Sequence, residues 1–456
     1  DVVDTFLVSE SETLTISADK ATGRTITADG TGANVVITGA SATTQYDFDA
    51  ITADEGTVTI NFATGGILNA ASTFAADQDF FVEENQTLTL SAAQADGVLI
   101  SGETATAGGD VGGAIVITSL DGAAAYDLAS VTAGAAGLGG GTVGTVRSTI
   151  TTNTTLNTAT ALGNLDLSVN NGVVLTLTAT QANARDIAGQ GGLIVTSIAD
   201  ATDLNSAVVT GSVTAKVNAG SAASVDLSGN ASINAGVADV IDVSTGKTVI
   251  LDDALFSDAA ATGLTVTGSG AVSVNGASVA TQYDFSDIAS AATTSVALGD
   301  NGTVNAASVF TGVDSIGLSA GVTTLTATQA DGATFTGAGT VTVSTNIAGQ
   351  QSLSGTSGDD AFTADTDATT VDLLDISQGG NDTVVFTTAA NGFTITGFNV
   401  DDTGTNSDVL DIQAFSASLN NEHASADGAV TFQYYDNTNT DLVGEVIVFT
   451  EPLSGS

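Results

Sequence analysis

One short pattern recurs five times along this chain at nearly constant spacing. It reads TLTISADKA around Lys20, TLTLSAAQA around Gln94, TLTATQA around Gln181, TVILDDALF around Leu255 and TLTATQA around Gln329. The intervals between these residues are 94 − 20 = 74, 181 − 94 = 87, 255 − 181 = 74 and 329 − 255 = 74. A fixed register of this length indicates tandem structural repeats, which build length and surface rather than a catalytic centre.

Further matches show that the repeat is longer than one motif. TTQYDFDAI (Thr43–Ile51) corresponds to ATQYDFSDI (Ala280–Ile288), and NAASTF (Asn69–Phe74) corresponds to NAASVF (Asn305–Phe310). The long interval indicates an insertion, which we place in the Gly-rich stretch 133–144 and expect to form a surface loop. The sequence predicts repeat modules at 1–75, 76–161 (with the insertion), 162–235 and 236–310, a partial fifth module at 311–353, and a separate C-terminal domain at 354–456.

Alternating apolar and polar residues predict an all-β fold. β-Branched residues dominate these segments, and Gly, Asn and Asp interrupt them every few residues. Two architectures fit: a parallel β-solenoid or β-roll with about three coils per repeat, or a row of small β-sandwiches. Sandwiches usually bury a large aromatic residue and use Pro in their loops, whereas this chain has no Trp and one Pro, so the solenoid is favoured. The clearest predicted strands are Thr57–Phe62, Ala114–Leu120, Leu193–Ile198, Leu264–Gly276 and Thr340–Thr345.

In a solenoid of this kind, we expect small residues to stack in a narrow core and Asn and Asp to form ladders at the corners. The recurrent motif predicts one helical turn after a strand. Ser91 or Thr180 would cap that turn, and the following glutamine would satisfy main-chain groups of the turn.

The charge balance limits the classes of partner. Six Lys and Arg residues oppose 51 Asp and Glu residues, which gives a formal net charge of −45 and excludes nucleic acid as a partner. A hydrophobic content of 42% argues against disorder, and no apolar run reaches the roughly 18 residues needed to span a bilayer. Two like charges at about 4 Å repel by about 4 kcal/mol near a protein surface, so we expect bound divalent cations. The alternative is that the acidity serves solubility in salty water.

The sequence changes character at Ser354, where carboxylates become dense. Ser354–Asp360 reads SGTSGDD and Ser377–Asp382 reads SQGGND, each followed by a short apolar strand. Calcium takes six to eight oxygen ligands, which Asp carboxylates and the carbonyls of Gly-rich turns can supply. The alternative is ordinary Gly/Asp turns at strand ends. The predicted calcium ligands are Gly355, Gly358, Asp359, Asp360, Asp365, Asp367, Asp372, Asp375, Gly379, Gly380, Asp382, Asp401, Asp402, Asp408 and Asp411.

The segments GTSGDDAF and QGGNDTVVF resemble degenerate copies of the Gly-Gly-x-Gly-x-Asp-x-apolar-x nonapeptide of RTX (repeats-in-toxin) proteins. Ile395–Phe415 is similar to the segment that commonly follows such repeats in type I-secreted bacterial proteins. The resemblance implies calcium-filled parallel β-rolls that fold outside the cell, as in RTX-type surface-layer (S-layer) proteins and large adhesins. Neither copy has the full glycine pattern and the copies are not contiguous, which favours isolated calcium sites. The positions carried over are Gly355, Gly358, Asp360, Gly379, Gly380 and Asp382.

Other chemistries find little support in the sequence. The chain has no Cys, so disulfides, zinc–thiolate sites and thiol nucleophiles are absent. His423 is the sole histidine and lies in a polar segment. Asp252 and Asp253 form a pair that could act as general acid and base on a glycoside, but such pairs arise by chance among 51 acids. Leu138–Gly144 lacks the Lys of a phosphate-binding loop.

These features predict a secreted structural protein rather than an enzyme. We expect calcium-stabilised self-assembly into an S-layer-like lattice or a filament on the surface of a Gram-negative bacterium. The alternative is the stalk of a type I-secreted adhesin, and a third reading is a hydrolase whose catalytic part precedes Asp1. The expected partner is a second copy of the chain, and contact with lipopolysaccharide or glycan would use parts outside it. Because the sequence starts at Asp1 rather than Met, we expect a processed or trimmed product.

Overall fold

The computed structural model describes residues 4–137, 140–257, 263–290, 292–343, 352–364, 372–376, 378–386, 393–396 and 408–411. The fold is all-β, with 7% helix, and its parallel sheets stack as a β-solenoid of about 17 turns. The predicted solenoid is therefore confirmed, and the alternative of tandem sandwiches is wrong. The five strand segments predicted above all contain strands.

The chain divides into two compact units, Asp1–Ile198 with Thr202–Ala215, and Ala199–Ala201 with Lys216–Ser456. The predicted module boundaries and the predicted C-terminal domain stay predictions.

The first unit contains twenty strands, the last of which runs across the division, and three single-turn helices. The strands are Thr5–Val8 (β1), Thr13–Ser17 (β2), Thr25–Ala28 (β3), Asn34–Ser41 (β4), Ile51–Ala53 (β5), Thr57–Thr64 (β6), Gly66–Ile67 (β7), Gln78–Val82 (β8), Thr87–Ser91 (β9), Ile100–Gly102 (β10), Ala114–Thr118 (β11), Val131–Thr132 (β12), Val146–Ile150 (β13), Thr154–Thr155 (β14), Asp166–Val169 (β15), Val174–Thr178 (β16), Ile187–Gly189 (β17), Gly192–Thr196 (β18), Ala207–Val209 (β19) and Val213–Val217 (β20). The helices are Ala18–Ala21 (α1), Ala92–Ala95 (α2) and Ala179–Ala182 (α3). The sheet orders are β1-β3-β5, β12-β10-β8-β6-β4-β2, β19-β17-β15-β13-β11-β9-β7 and β14-β16-β18-β20.

The second unit continues the same architecture. Its strands are Ser224–Asp226 (β21), Val240–Val243 (β22), Thr248–Asp252 (β23), Thr265–Gly268 (β24), Ala271–Ala277 (β25), Ile288–Ser290 (β26), Thr294–Leu298 (β27), Gly302–Thr303 (β28), Ser315–Leu318 (β29), Val322–Leu325 (β30), Thr334–Gly337 (β31), Thr340–Val343 (β32), Ser352–Ser354 (β33), Ala361–Ala364 (β34), Asp372–Asp375 (β35), Thr383–Phe386 (β36), Phe393–Thr396 (β37) and Val409–Asp411 (β38). The helices are Ala231–Asn234 (α4), the 3₁₀ turn Asp253–Phe256 and Ala327–Ala330 (α5). The sheet orders are β22-β24-β26, β21-β23-β25-β27-β29-β31, β28-β30-β32-β34-β36-β38 and β33-β35-β37.

Residues of like size lie directly above one another from coil to coil. Val35 of β4 pairs with Val58 of β6, and Ile37 pairs with Ile60 two residues further along. All four side chains are fully buried, whereas the residues between them are partly exposed. Successive side chains of a strand point to opposite faces, so the sequence alternation places one column of branched side chains inside the solenoid. The buried residues include many Val and Ala, which are among the small residues expected above, together with the larger Ile, Leu and Phe.

Aromatic clusters explain the sequence matches between predicted modules one and four. The ring of Phe48 stacks on Tyr46 with centroids 5.0 Å apart and meets the edge of Phe74 at 6.1 Å. These residues come from the segments YDF and NAASTF, which lie one coil apart. Module four repeats the arrangement with Tyr283, Phe285 and Phe310 at centroid distances of 5.4 and 5.2 Å.

Part of the Gly-rich insertion is held against neighbouring coils by main-chain hydrogen bonds. The main-chain N–H of Gly134 donates to the carbonyl of Gly113, and that of Gly144 donates to the carbonyl of Gly134. A Cβ on Gly134 would lie 1.7 Å from the carbonyl oxygen of Glu103. The main chains are so close at Gly134 and Gly144 that a side chain has no room. The other described residues of the stretch form no strand and are mostly exposed, as expected for a surface loop. Residues 138–139 lie outside the described part.

Replacing Phe285 with Ala tests the aromatic core. Phe285 is fully buried against Tyr283, Phe256 and Phe310, so the Phe285→Ala variant should lose about 3–5 kcal/mol of stability through lost burial and a residual cavity. The measurement is the urea midpoint of unfolding by circular dichroism. Phe81→Ala, at a half-buried site, is the control, and an equal loss in both variants would contradict the packing described here.

Candidate functional site

The recurrent glutamine joins a helical turn to the adjacent coil. In the third copy, the Thr178 hydroxyl accepts the N–H of Gln181 (3.3 Å) and the Gln181 side-chain oxygen accepts the N–H of Thr178 (3.0 Å). The Gln181 Nε2 group also donates to the carbonyls of Asn157 (2.8 Å) and Thr160 (3.1 Å). This is a capping box whose glutamine additionally satisfies two carbonyls of the preceding coil.

Two further copies keep the same capping arrangement. Ser91 caps α2 through Gln94, as predicted, and Thr326 caps α5 through Gln329. The prediction of Thr180 as a cap is wrong, because the strand ends two residues earlier and Thr178 occupies the cap position. The glutamine satisfies main-chain groups, which confirms its predicted role.

Aspartate side chains make a second set of bonds between coils. Each accepts a main-chain N–H from a residue 19 to 31 positions away, across one coil-to-coil step. Such an arrangement matches the expected Asp and Asn ladders. The aspartates concerned are Asp77, Asp96, Asp200, Asp300, Asp314, Asp331, Asp359, Asp360, Asp382 and Asp408.

Three of the predicted calcium ligands form a buried column in the C-terminal segment. Asp360, Asp382 and Asp408 are 2%, 0% and 8% exposed. The Asp382 Oδ1 atom accepts the N–H of Asp360 at 2.9 Å, and the Asp408 Oδ1 atom accepts the N–H of Asp382 at 3.0 Å. The Asp360 Oδ1 atom accepts the N–H of Val341 at 2.7 Å. We call Asp360, Asp382 and Asp408 the aspartate column.

The Thr356 main-chain N–H donates to Asp360 Oδ2, and the Thr356 hydroxyl donates to the same carboxylate. Both oxygens of Asp360 therefore have partners. In contrast, Asp382 Oδ2 is buried and has no hydrogen-bond partner among the residues that the structure describes.

The glycines of the two RTX-like copies occupy restricted positions, each for its own reason. A Cβ on Gly380 would lie 2.2 Å from the carbonyl oxygen of Gly358, and one on Gly355 would lie 2.9 Å from Asp360 Oδ2. Gly379 and Gly380 both have positive φ, +99° and +114°. Glycine is therefore favoured at position 380 by the adjacent coil and by positive φ, at 379 by positive φ alone, and at 355 by the nearby Asp360 carboxylate.

The remaining predicted ligands are spread over several elements. Asp359 is exposed, and its Oδ1 accepts the N–H of Asn381 at 2.8 Å. Asp375 lies in β35, and its carbonyl accepts the N–H of Gly355. The main chain of Asp372 lies in β35 and that of Asp411 in β38. Asp365, Asp367, Asp401 and Asp402 lie outside the described residues, as does His423.

The charge state of Asp382 follows from its surroundings. Burial, and beyond it the carboxylates of Asp360 and Asp408, raise the pKa of Asp382 to about 7, while the hydrogen bond from Asp360 N–H opposes this rise. Burial likewise raises the pKa of Asp360. Burial therefore disfavours the ionised form of Asp360 and of Asp382.

The described residues offer little to a metal ion. Within them, no three His, Cys, Asp or Glu side chains are grouped so that they could hold one. Calcium takes six to eight oxygens, and in the aspartate column Asp382 Oδ2 is the oxygen shown to lack a partner. The assignment of calcium ligands stays a prediction.

The other candidate acids have structural contacts. Asp252 caps the 3₁₀ turn by accepting the N–H of Ala254 at 2.9 Å. Asp253 accepts a hydrogen bond from the Tyr283 hydroxyl, and burial raises the pKa of Asp253. These contacts place the pair in the wall of a coil beside the aromatic cluster.

Sequence analysis placed Asp and Asn ladders at the corners but did not identify the main-chain N–H groups that the aspartates accept from a neighbouring coil. A usable signal was present: Asp77, Asp314, Asp360, Asp382 and Asp408 each stand directly before a strand. At that position the carboxylate accepts a main-chain N–H from the preceding coil.

No protein-family model, no curated protein and no solved structure matches this chain. Among the described residues, helices extend over a single turn, and none is long and apolar enough to cross a membrane. The function is therefore inferred from the chain's own residues.

The Gln329→Ala variant tests the glutamine contacts. It removes the capping box and leaves the carbonyls of Asn305 and Ser308 without their donor, so we expect a loss of about 1–3 kcal/mol. Thermal unfolding measures it. Gln45→Ala, which removes an exposed glutamine with a single bond to Ala71, should change little; equal effects would refute the role given to Gln329.

The raised pKa of Asp382 predicts a pH dependence. Between the unfolded carboxyl's pKa near 4 and the folded value of about 7, the folded state holds the proton more tightly, so this residue's contribution to stability falls as pH rises. The stability of the Asp382→Asn variant relative to wild type should therefore be higher at pH 8 than at pH 5, as measured by urea unfolding. The exposed Asp314→Asn is the control. A stability difference for Asp382→Asn that is independent of pH would contradict the prediction.

Proposed function

We propose that this chain is a secreted structural protein that assembles with copies of itself into an extracellular lattice or filament on a bacterial surface, stabilised by calcium. The observation that carries the proposal is the β-solenoid of about 17 turns built by a chain with a net charge of −45. Stacked coils present long regular surfaces, and their strand ladders resist deformation. Neither property serves a small catalytic site.

The acidity supports a role for divalent cations in association. Only six Lys and Arg residues face 51 acids, and two of the described cations are already paired, Arg24 with Asp4 and Lys216 with Asp242. Copies of such a surface repel one another in water, over a range of about 10 Å at 0.1 M salt. Calcium bound by exposed carboxylates removes that repulsion and can bridge acids of two copies.

The likeness to RTX-type S-layer proteins and adhesins remains part of the proposal. It is supported by Gly-Asp turns standing directly before the strands β34 and β36 of a parallel stack. The adhesin stalk uses the same scaffold as a monomer, so the two functions differ in association state. A location outside a Gram-negative cell follows from the same likeness.

A calcium titration followed by light scattering and electron microscopy tests the proposal. We expect ordered sheets or filaments with millimolar calcium, reversal with EDTA, and no assembly with sodium chloride at the same ionic strength. Magnesium is the matched divalent control. A chain that stays monomeric in calcium would favour the stalk. Assembly that is unchanged by calcium and by EDTA would contradict a calcium-stabilised lattice.

A further inference from the structure

We propose that the aspartate column joins successive coils through its own hydrogen bonds and does not bind calcium. In this arrangement Asp360 and Asp382, the aspartates of the two RTX-like copies, accept main-chain N–H groups. In a calcium-filled β-roll the same carboxylates would instead bind an ion. This assignment concerns the inside of the coil stack. It is separate from the proposed action of calcium between copies.

The column is a repeating structure. Asp360, Asp382 and Asp408 follow one another at steps of 382 − 360 = 22 and 408 − 382 = 26 residues and directly precede β34, β36 and β38. Their carbonyls join the same ladder: Thr383 N–H donates to Asp360 O at 2.8 Å and Val409 N–H donates to Asp382 O at 2.6 Å. Asp360 and Asp382 thus each link to the next coil by a main-chain and a side-chain bond.

The direction of the bonds opposes a cation. The carboxylate of Asp360 faces the N–H groups of Val341 and Thr356, and that of Asp382 faces the N–H of Asp360. An N–H presents the positive end of its dipole, so each satisfies an oxygen and repels a cation placed near it. Calcium takes six to eight oxygen ligands, and four carboxylate oxygens of the column already accept main-chain N–H groups.

The same bond occurs far from the RTX-like copies. Asp314 Oδ2 accepts the N–H of Thr294 at 2.7 Å, and Asp77 Oδ2 accepts the N–H of Ala53 at 2.7 Å. Both aspartates also stand directly before a strand, β29 and β8. The bond therefore belongs to this solenoid as a whole and does not depend on a Gly-Asp calcium motif. In the C-terminal segment it differs by being buried.

The burial makes the column testable by substitution. The Asp382→Asn variant keeps an oxygen acceptor for the Asp360 N–H but removes the carboxylate charge, which would weaken a calcium site at this position. Ala at this position keeps neither. A calcium site and a hydrogen-bonded column therefore predict opposite outcomes for Asp382→Asn.

Hydrogen exchange of the full-length chain, read by mass spectrometry on peptides that contain residue 360, is the experiment. With EDTA present, we expect Asp382→Ala to speed exchange at residue 360 on the order of tenfold or more, and Asp382→Asn to leave it near wild type. Added calcium should change none of these rates. Exchange in Asp382→Asn as fast as in Asp382→Ala, or protection of wild type that needs calcium, would overturn the column.

Calcium-driven assembly is measured on the same samples by light scattering. If assembly fails while the exchange pattern holds, the proposed function is wrong and the column stands. If assembly occurs while the exchange pattern fails, the column is wrong alone. Should Asp382→Ala not fold, Asp314→Ala supplies the same comparison at an exposed site, with exchange read at Thr294.

Discussion

Main-chain hydrogen bonding between successive coils is the interaction on which this structure depends. In a strand it is automatic, because parallel neighbours such as β4 and β6 pair residue by residue. In the turns it is not, since the chain leaves the ladder and exposes N–H and C=O groups that must be satisfied. Gln181 satisfies two carbonyls of one turn, and Asp314 satisfies the N–H of Thr294. Polar side chains thus continue the ladder around the corners that the strands cannot cover.

The acidic residues that satisfy main-chain N–H groups lie in two different environments, exposed and buried. An acid such as Asp77 is exposed, with its charge facing water while one oxygen holds the adjacent coil. Asp382 is fully buried between Asp360 and Asp408, where desolvation and like charges raise its pKa to about 7. The number of acidic residues in a coil is therefore larger than the negative charge that the coil carries, because burial favours the protonated form of a residue such as Asp382. The exposed acids produce repulsion between molecules, and the buried ones act on the coil stack itself.

Much of the fold was predictable because its periods are visible in the sequence. A two-residue alternation specifies strands such as Thr57–Thr64, and a near-constant repeat specifies stacked modules. Single positions were less predictable. The helical turn starts at Thr178 rather than Thr180 because the cap is fixed by where the strand ends. Whether an Asp after a Gly-rich turn faces an ion or an N–H depends on the register of the neighbouring coil, and sequence spacing does not contain that register.

Glycine can be required by close contact between coils as well as by a calcium-binding turn. A Gly before an Asp is read in the RTX nonapeptide as a turn that presents carbonyls to calcium. Here Gly380 is required for a different reason, since a Cβ would lie 2.2 Å from the carbonyl oxygen of Gly358 in the adjacent coil. Gly134 of the insertion meets the same restriction against Glu103, far from any RTX-like copy. Close contact between coils therefore explains both glycines without an ion. In the proposed assembly, a stack held in this way leaves calcium to act where the exposed acids of separate copies meet.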